Sequence, residues 1–334
     1  MTAQLERMIA AQAEVVASLG DPALTEEAAR KLAGARRVWL IGTGTSLHAA
    51  ELGAAELARA GLDSRAIAAN MFDQSLLRDG DAAVVITHTG HTAYAVRSRA
   101  LLLDAGVPLI SITGPDVDWP EAVRTPIAEA SETYTVSYTA ALVVLAQLAH
   151  HLGAPGGGPD AVRVVAEAII AADAAGAGAG NGGSNGDTAG VGANRSGGGV
   201  DVPMPARAMA IVGPGLWSIT AREGALKIRE GARILCEGFD TDRLLHGGAV
   251  PYTPADTLLV LQPDELTSSV RHAARLERLQ VVTWTSAVTT GSPLLDQIPM
   301  TVRLQRLALR FARLRGQDAD LAITGAWADP ELWP

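Results

Sequence analysis

Three side chains in the second half of the sequence have the types and spacing for proton-transfer chemistry: Glu223, Lys227 and Glu230. They stand four and three residues apart, so on an α-helix they share one face. A carboxylate can take a proton from a carbon acid, and an ammonium beside it can hold the negative charge that then develops on oxygen. An amphipathic surface helix with a solvated i,i+4 ion pair, worth roughly 0.2–0.5 kcal/mol, has the same spacing. Its apolar face would be Ala221, Ala225, Ile228, Ala232 and Leu235. Two features favour chemistry. Lys227 is one of only two lysines, the other being Lys31, while arginine carries nearly all the positive charge. The segment also runs on into Glu237-Gly238-Phe239-Asp240 and Leu244-Leu245-His246-Gly247-Gly248, which holds a histidine between leucines and glycines.

The first half contributes loops rather than acids. The apolar stretch Ala82 to Ile86 runs into Thr87-His88-Thr89-Gly90-His91-Thr92, ahead of a helical stretch from Ala93. Hydroxyls, a glycine and the free N–H groups of a helix start are what a bound phosphate requires. A plain polar turn with Thr92 as N-cap would look similar. The corresponding place in the second half reads Gln262-Pro263-Asp264-Glu265, whose two carboxylates would repel phosphate, so only the first half is expected to keep an anion pocket. His88 and His91 have a spacing that could ligate a metal, but no carboxylate or cysteine accompanies them in the loop. Gly42-Thr43-Gly44-Thr45-Ser46-Leu47 opens like a dinucleotide fingerprint, yet Leu47 stands where its third glycine belongs. Thr45 and Ser46 suit a small hydroxylated ligand, and neither a cofactor nor a metal is expected.

These loops need strands that deliver them to one edge. Val38-Trp39-Leu40-Ile41 before Gly42-Thr43-Gly44 matches Ala210-Ile211-Val212 before Gly213-Pro214-Gly215. Arg78 to Thr87 matches Thr253 to Gln262, and Gly106 to Thr113 matches Leu279 to Thr285. Each half therefore reads as strand, glycine turn, helix, strand, loop, helix, strand, which predicts two copies of a doubly wound α/β unit with ligands beyond the carboxyl ends of the strands. The expected boundaries are an amino-terminal helical segment (1–30), a first unit (31–153), a helix plus glycine-rich linker (154–204) and a second unit (205–334). The linker is read from eleven glycines between Gly176 and Gly199.

Composition narrows the class. Of 334 residues 48% are hydrophobic and 19% charged, the balance of a globular chain, and a net charge of −9 disfavours nucleic acid. The single cysteine, Cys236, allows no internal disulfide and no multi-thiolate site. The start carries Glu6 and Arg7 within its apolar stretch, and the run Ala140 to Ala146 is far shorter than the roughly 20 residues a bilayer requires. A cytoplasmic protein with no membrane contact is expected.

Taken together, the segments GTGTS (42–46), THTGHT (87–92), SETYTVS (131–137), EGALKIRE (223–230) and EGFDTDRLLHGG (237–248) resemble the tandem sugar isomerase (SIS) domain family, from roughly Leu5 to Leu321. Its members include the isomerase half of glutamine–fructose-6-phosphate aminotransferase, stand-alone glucosamine-6-phosphate deaminases and fructosamine deglycases. The resemblance implies two tandem, flavodoxin-like parallel-sheet domains in a three-layer fold and a homodimer whose active site lies at the subunit interface. It also implies a phosphorylated amino sugar as substrate. Thr87, His88, Thr89 and Thr92 then fall on the phosphate loop, and Gly44, Thr45, Ser46, Thr135 and Ser137 fall on sugar- and phosphate-contacting segments. Glu230 falls on the base that moves a proton between C1 and C2, Lys227 on a lysine at the reactive end, and His246 on a ring-opening histidine supplied by the neighbouring protomer.

Departures shape what is expected. No glutaminase unit precedes residue 31, so ammonia rather than glutamine is the expected nitrogen species. No lysine follows Lys227, and the tail ITGAWADPELWP gives no Schiff-base residue. His88 and His91 replace the usual Gln or Ser and Glu or Arg. The expected activity is conversion of the glucosamine 6-phosphate to fructose 6-phosphate type through an enediol or enediolamine. The alternatives are a fructosamine-6-phosphate deglycase and, in another class, a non-catalytic sugar-phosphate-binding regulator.

Overall fold

The computed structural model describes residues 3–178 and 202–332. The expected glycine-rich linker, Gly176 to Gly199, lies outside the described residues beyond its first three positions. Two helices, α1 (Gln4–Ser18) and α2 (Ala23–Leu32), lead into β1 (Arg37–Gly42), α3 (Thr45–Arg59), β2 (Ser64–Ala68), β3 (Asp81–Ile86), α4 (Ala93–Asp104), β4 (Leu109–Thr113) and β5 (Ala122–Arg124). The five strands form one parallel sheet in the order β2-β1-β3-β4-β5. After α5 (Val136–His151) and α6 (Pro159–Gly178) come β6 (Ala208–Val212), α7 (Trp217–Ala232), β7 (Leu235–Phe239), α8 (Thr241–Arg243), β8 (Thr257–Leu261), α9 (Glu265–Leu276), β9 (Gln280–Trp284) and α10 (Ile298–Arg315). The second sheet is also parallel, ordered β7-β6-β8-β9, so it repeats the order of the first four strands.

The alternation of side chains along each strand sets the layers. Val38 and Leu40 of β1 face a large central core, whereas Trp39 and Ile41 join Phe72, Ala83, Val85, Ala95 and Leu102 beneath α4. In β6, Met209 and Ile211 face the same central core, while Ala210 and Val212 meet Leu258, Val260 and Val270 beneath α9. Both faces of both sheets are covered, which is why the strands read as continuous apolar runs rather than alternating ones. The central core also takes in α1, α3, α5, α6, α7 and α10, so the halves share one hydrophobic interior. Every residue of α5 from Val136 to Ala149 is buried, as expected for a helix apolar all round. No helix among the described residues is long and apolar enough to cross a membrane.

Two expectations are corrected. Strands β2, β5 and β7 are absent from the sequence pattern because they are sheet-edge or near-edge pieces without a buried run: β2 has no fully buried residue, β7 alternates, and β5 has three residues. Helix α7 runs from Trp217 to Ala232, so Leu235 is not on its apolar face. The left-handed backbone of Arg233 (φ +53°) ends the helix, and Leu235 begins β7 as an exposed residue.

Candidate active site

Helix α7 follows the carboxyl end of β6, and the start of α3, which follows the carboxyl end of β1, packs against it. The start of α7 at Trp217 puts Glu223 in mid-helix, facing α3 and α5 rather than solvent. Glu223 and Lys227 are 0% and 1% exposed, which rules out the solvated surface pair. Gly224 beside them lets α10 close in, since a Cβ there would come within 2.7 Å of Leu304. Lys227 Nζ lies 3.6 Å from Glu223 Oε1 and donates to Glu230 Oε2 at 2.6 Å. Glu230, a quarter exposed, is the outer end of this row.

The glycine turn after β1 brings the first half to the same row. A Cβ on Gly42 would lie 2.4 Å from the carbonyl oxygen of Ser46, and Gly44 has φ +55°, so only glycines allow α3 to fold back over the strand end. Two residues of the first turn of α3 then reach Glu223. Thr45 Oγ1 donates to Oε1 at 3.2 Å, and His48 Nδ1 lies 2.7 Å from Oε2. Burial opposes ionisation of Glu223, but Lys227, His48 and Thr45 outweigh it and hold the carboxyl below its ordinary value. Burial likewise opposes the Lys227 ammonium, and Glu223 and Glu230 more than reverse it, so its pKa is raised. At Glu230 burial prevails over the attraction of Lys227, and the pKa is raised, as suits a general base near neutral pH.

The threonine loop follows β3. The Thr87 hydroxyl is buried with no hydrogen-bond partner among the described residues, and Thr89 Oγ1 accepts from the His91 N–H at 3.2 Å. No side chain caps α4, so its leading N–H groups are open to an anion. In the second half, Asp264 caps α9 itself by accepting from Thr267 N at 2.8 Å, so the matching helix start is already satisfied.

His88 plays a different part from its threonine neighbours. Its Nε2 accepts from the Glu129 N–H at 3.0 Å, and its ring packs on Gly114, where a Cβ would sit 2.7 Å from Cε1. Burial lowers its pKa against the pull of Glu129 and Asp116, so the ring is held neutral. The Glu129 carboxylate accepts from Thr135 N (2.6 Å), Thr135 Oγ1 (3.0 Å) and Ser137 N (2.8 Å), closing the start of α5. Tyr134 meets His88 edge-on at 5.9 Å, and its hydroxyl, raised by burial, feels Glu129, Lys227 and Glu230. The threonine loop and the α7 row are thus linked through His88, Glu129 and Tyr134.

Thr45, Thr135, Ser137, Lys227 and Glu230 therefore gather around α7 and the start of α5, with Gly44 and Ser46 in the turn that delivers Thr45. His246 stands apart: it lies on a π-turn (Leu244–Gly248), is 77% exposed, and its Nδ1 faces the Asp242 carbonyl at 2.9 Å. Sequence reasoning singled out neither His48, Glu129 nor Tyr134 as site residues. Tyr134 sits inside the SETYTVS segment, which was a usable signal, whereas nothing local marks His48 or Glu129.

The scaffold is thus a parallel α/β fold with a buried carboxylate–lysine row on α7 and an uncapped hydroxyl loop after β3. Residues 31–151 match the family model of the SIS domain. The glutamine–fructose-6-phosphate aminotransferase [isomerizing] of Aeropyrum pernix is 27% identical over 90% of this chain and 52% of its own length. The chain thus spans about half of that relative. In fold it is similar to the C-terminal domain of glucosamine-fructose-6-phosphate aminotransferase from Francisella tularensis (TM-score 0.71, 16% identity, covering 96% of this chain and 98% of that one). It is also similar to glucosamine-6-phosphate deaminase from Thermotoga maritima (TM-score 0.70, 16% identity, covering 95% and 97%).

Proposed function

We propose that the protein is a phosphosugar isomerase or deaminase that acts on an amino-sugar 6-phosphate, of the glucosamine 6-phosphate to fructose 6-phosphate type. The observation that carries this is the buried row Glu223–Lys227–Glu230, linked through Tyr134, Glu129 and His88 to the threonine loop, in a chain similar to proteins with aminotransferase and deaminase names. The phosphate is assigned to Thr87, Thr89, Thr92 and the open start of α4. Remote binding there holds the sugar in register for chemistry at its other end. Glu230 is assigned as the base that removes a proton from one carbon and returns it to the next, aided by its raised pKa. Lys227, kept charged by its two carboxylates, is assigned to the developing enediolate oxygen.

The repeated strand order supports a second half derived from the same unit, whose anion site has been closed by Asp264. The exposure of Leu245, His246 and Val250 supports a homodimer in which this stretch serves the neighbouring protomer.

The test is direct. Purified protein is incubated with glucosamine 6-phosphate while ammonia and fructose 6-phosphate are followed. Glu230→Gln is expected to lower kcat by about 100-fold or more with sugar-phosphate affinity nearly unchanged. Release of glucose 6-phosphate from a 6-phosphorylated ketosamine would instead assign a deglycase. Tight binding without turnover on any hexosamine or ketosamine phosphate would make the protein a sensor rather than an enzyme.

A further inference from the structure

We propose that His48, oriented by Glu223, is a further acid–base residue of this site and exchanges a proton with a substrate oxygen through Nε2; the proposal rests on the sugar-phosphate reading above. The arrangement is that of a carboxylate–histidine dyad. Glu223 Oε2 lies 2.7 Å from His48 Nδ1, and an ionised carboxylate can only accept, so Nδ1 carries the proton. In the neutral ring Nε2 then holds a lone pair, and none of the described residues bonds it. The side chain is 12% exposed and stands on the first turn of α3, directly after the glycine turn that carries Gly44, Thr45 and Ser46. Such a ring is buried enough to be held in one tautomer and open enough to touch a ligand.

Chemistry requires a group of this kind. In open-chain glucosamine 6-phosphate the shift moves two protons: one from the amine-bearing carbon C2 to C1 and one from the C2 amine to the C1 carbonyl oxygen. In the step proposed, Glu230 takes the proton from C2 while His48 Nε2 takes a proton from the C2 amino group and supplies one to the C1 carbonyl oxygen. The carbon–carbon double bond forms as the C–H bond breaks, and it is lost when Glu230 returns its proton to C1. The product is the C2 imine of fructose 6-phosphate; water then adds to C2 as ammonia leaves, and no oxidant is needed. Lys227 is poorly suited to the second transfer, because its nitrogen is already hydrogen-bonded to Glu230 and lies beside Glu223. The remaining ionisable groups around Glu223 are the Tyr138 hydroxyl of α5 and the Glu51–Arg222 pair between α3 and α7, which neutralise each other.

His48→Asn separates orientation from proton transfer. The asparagine amide can still donate to Glu223 from the Nδ1 position, but it lacks Nε2. Isothermal titration calorimetry and steady-state kinetics with glucosamine 6-phosphate are expected to show kcat reduced by about 100-fold with Kd within about three-fold of the parent. Added imidazole is expected to restore part of the turnover of His48→Ala, whereas a purely structural histidine would show no such rescue. A kcat within about three-fold of the parent, or kcat and affinity lost together without rescue, would overturn the role of His48. A parent protein that neither binds nor turns over the sugar phosphate would overturn the sugar-phosphate reading itself, so the two failures are told apart before any variant is made. Should His48→Asn not fold, as judged by circular dichroism, His48→Gln is measured in the same assays and judged by the same outcomes.

Discussion

Burial, more than the neighbouring ammonium, decides the acidity of Glu230, and this has a measurable consequence. A base must be ionised to act, so activity is present above its pKa and lost as pH falls through it. Because that pKa is raised in the folded protein, the acid limb of kcat/KM is expected above the ordinary carboxylate range. A profile measured from about pH 4 to 9 checks this; an acid limb at or below the ordinary carboxylate value would remove Glu230 as the limiting base. The charges of this row were partly legible in the sequence. Helical spacing aligned Glu223, Lys227 and Glu230, but spacing is silent on whether a face is wet or dry. The ion pair belongs to the interior because α3, α5 and α10 cover it.

At the level of elements, two glycine turns do equivalent work in the two halves. A Cβ on Gly42 would strike the Ser46 carbonyl at 2.4 Å, and one on Gly213 would strike the Trp217 carbonyl at 2.6 Å. In both cases the obstacle is backbone, so neither clash can be relieved by turning a side chain. Gly42→Ala is expected to destabilise the protein by about 1–3 kcal/mol, measured by urea unfolding, and to lower activity by displacing Thr45 and His48. These turns were readable because each follows an apolar strand and opens a helix. The edge strands β2, β5 and β7 were not, since exposed or short strands carry little hydrophobic signal and form only where a neighbouring strand offers hydrogen bonds.

Across the whole molecule, distant parts of the chain are tied beside the site. Asp320 accepts from the N–H groups of Gln4 (2.8 Å) and Leu5 (2.6 Å) and so caps α1 from the far end of the sequence. The same segment grips the loop that carries Tyr134. Thr133 Oγ1 donates to the Ala319 carbonyl at 2.8 Å, and Glu132 accepts from the Ala322 N–H at 3.0 Å. Asp320→Ala is expected to cost about 1 kcal/mol, read as a lower urea midpoint with an unchanged slope. An unchanged midpoint would mean that the cap adds nothing to stability.

The sequence by itself determined the parallel α/β elements, the repeat of glycine turn and helix, and the row of acid and base on α7, because these are encoded in local periodicity and in backbone positions that only glycine fills. The tertiary structure decided which charges became buried and who their partners were. His48 and Glu223 are 175 residues apart and meet only because both halves pack their helices into one core. That contact is fixed by the packing of α3 against α7, and no spacing along the chain records it.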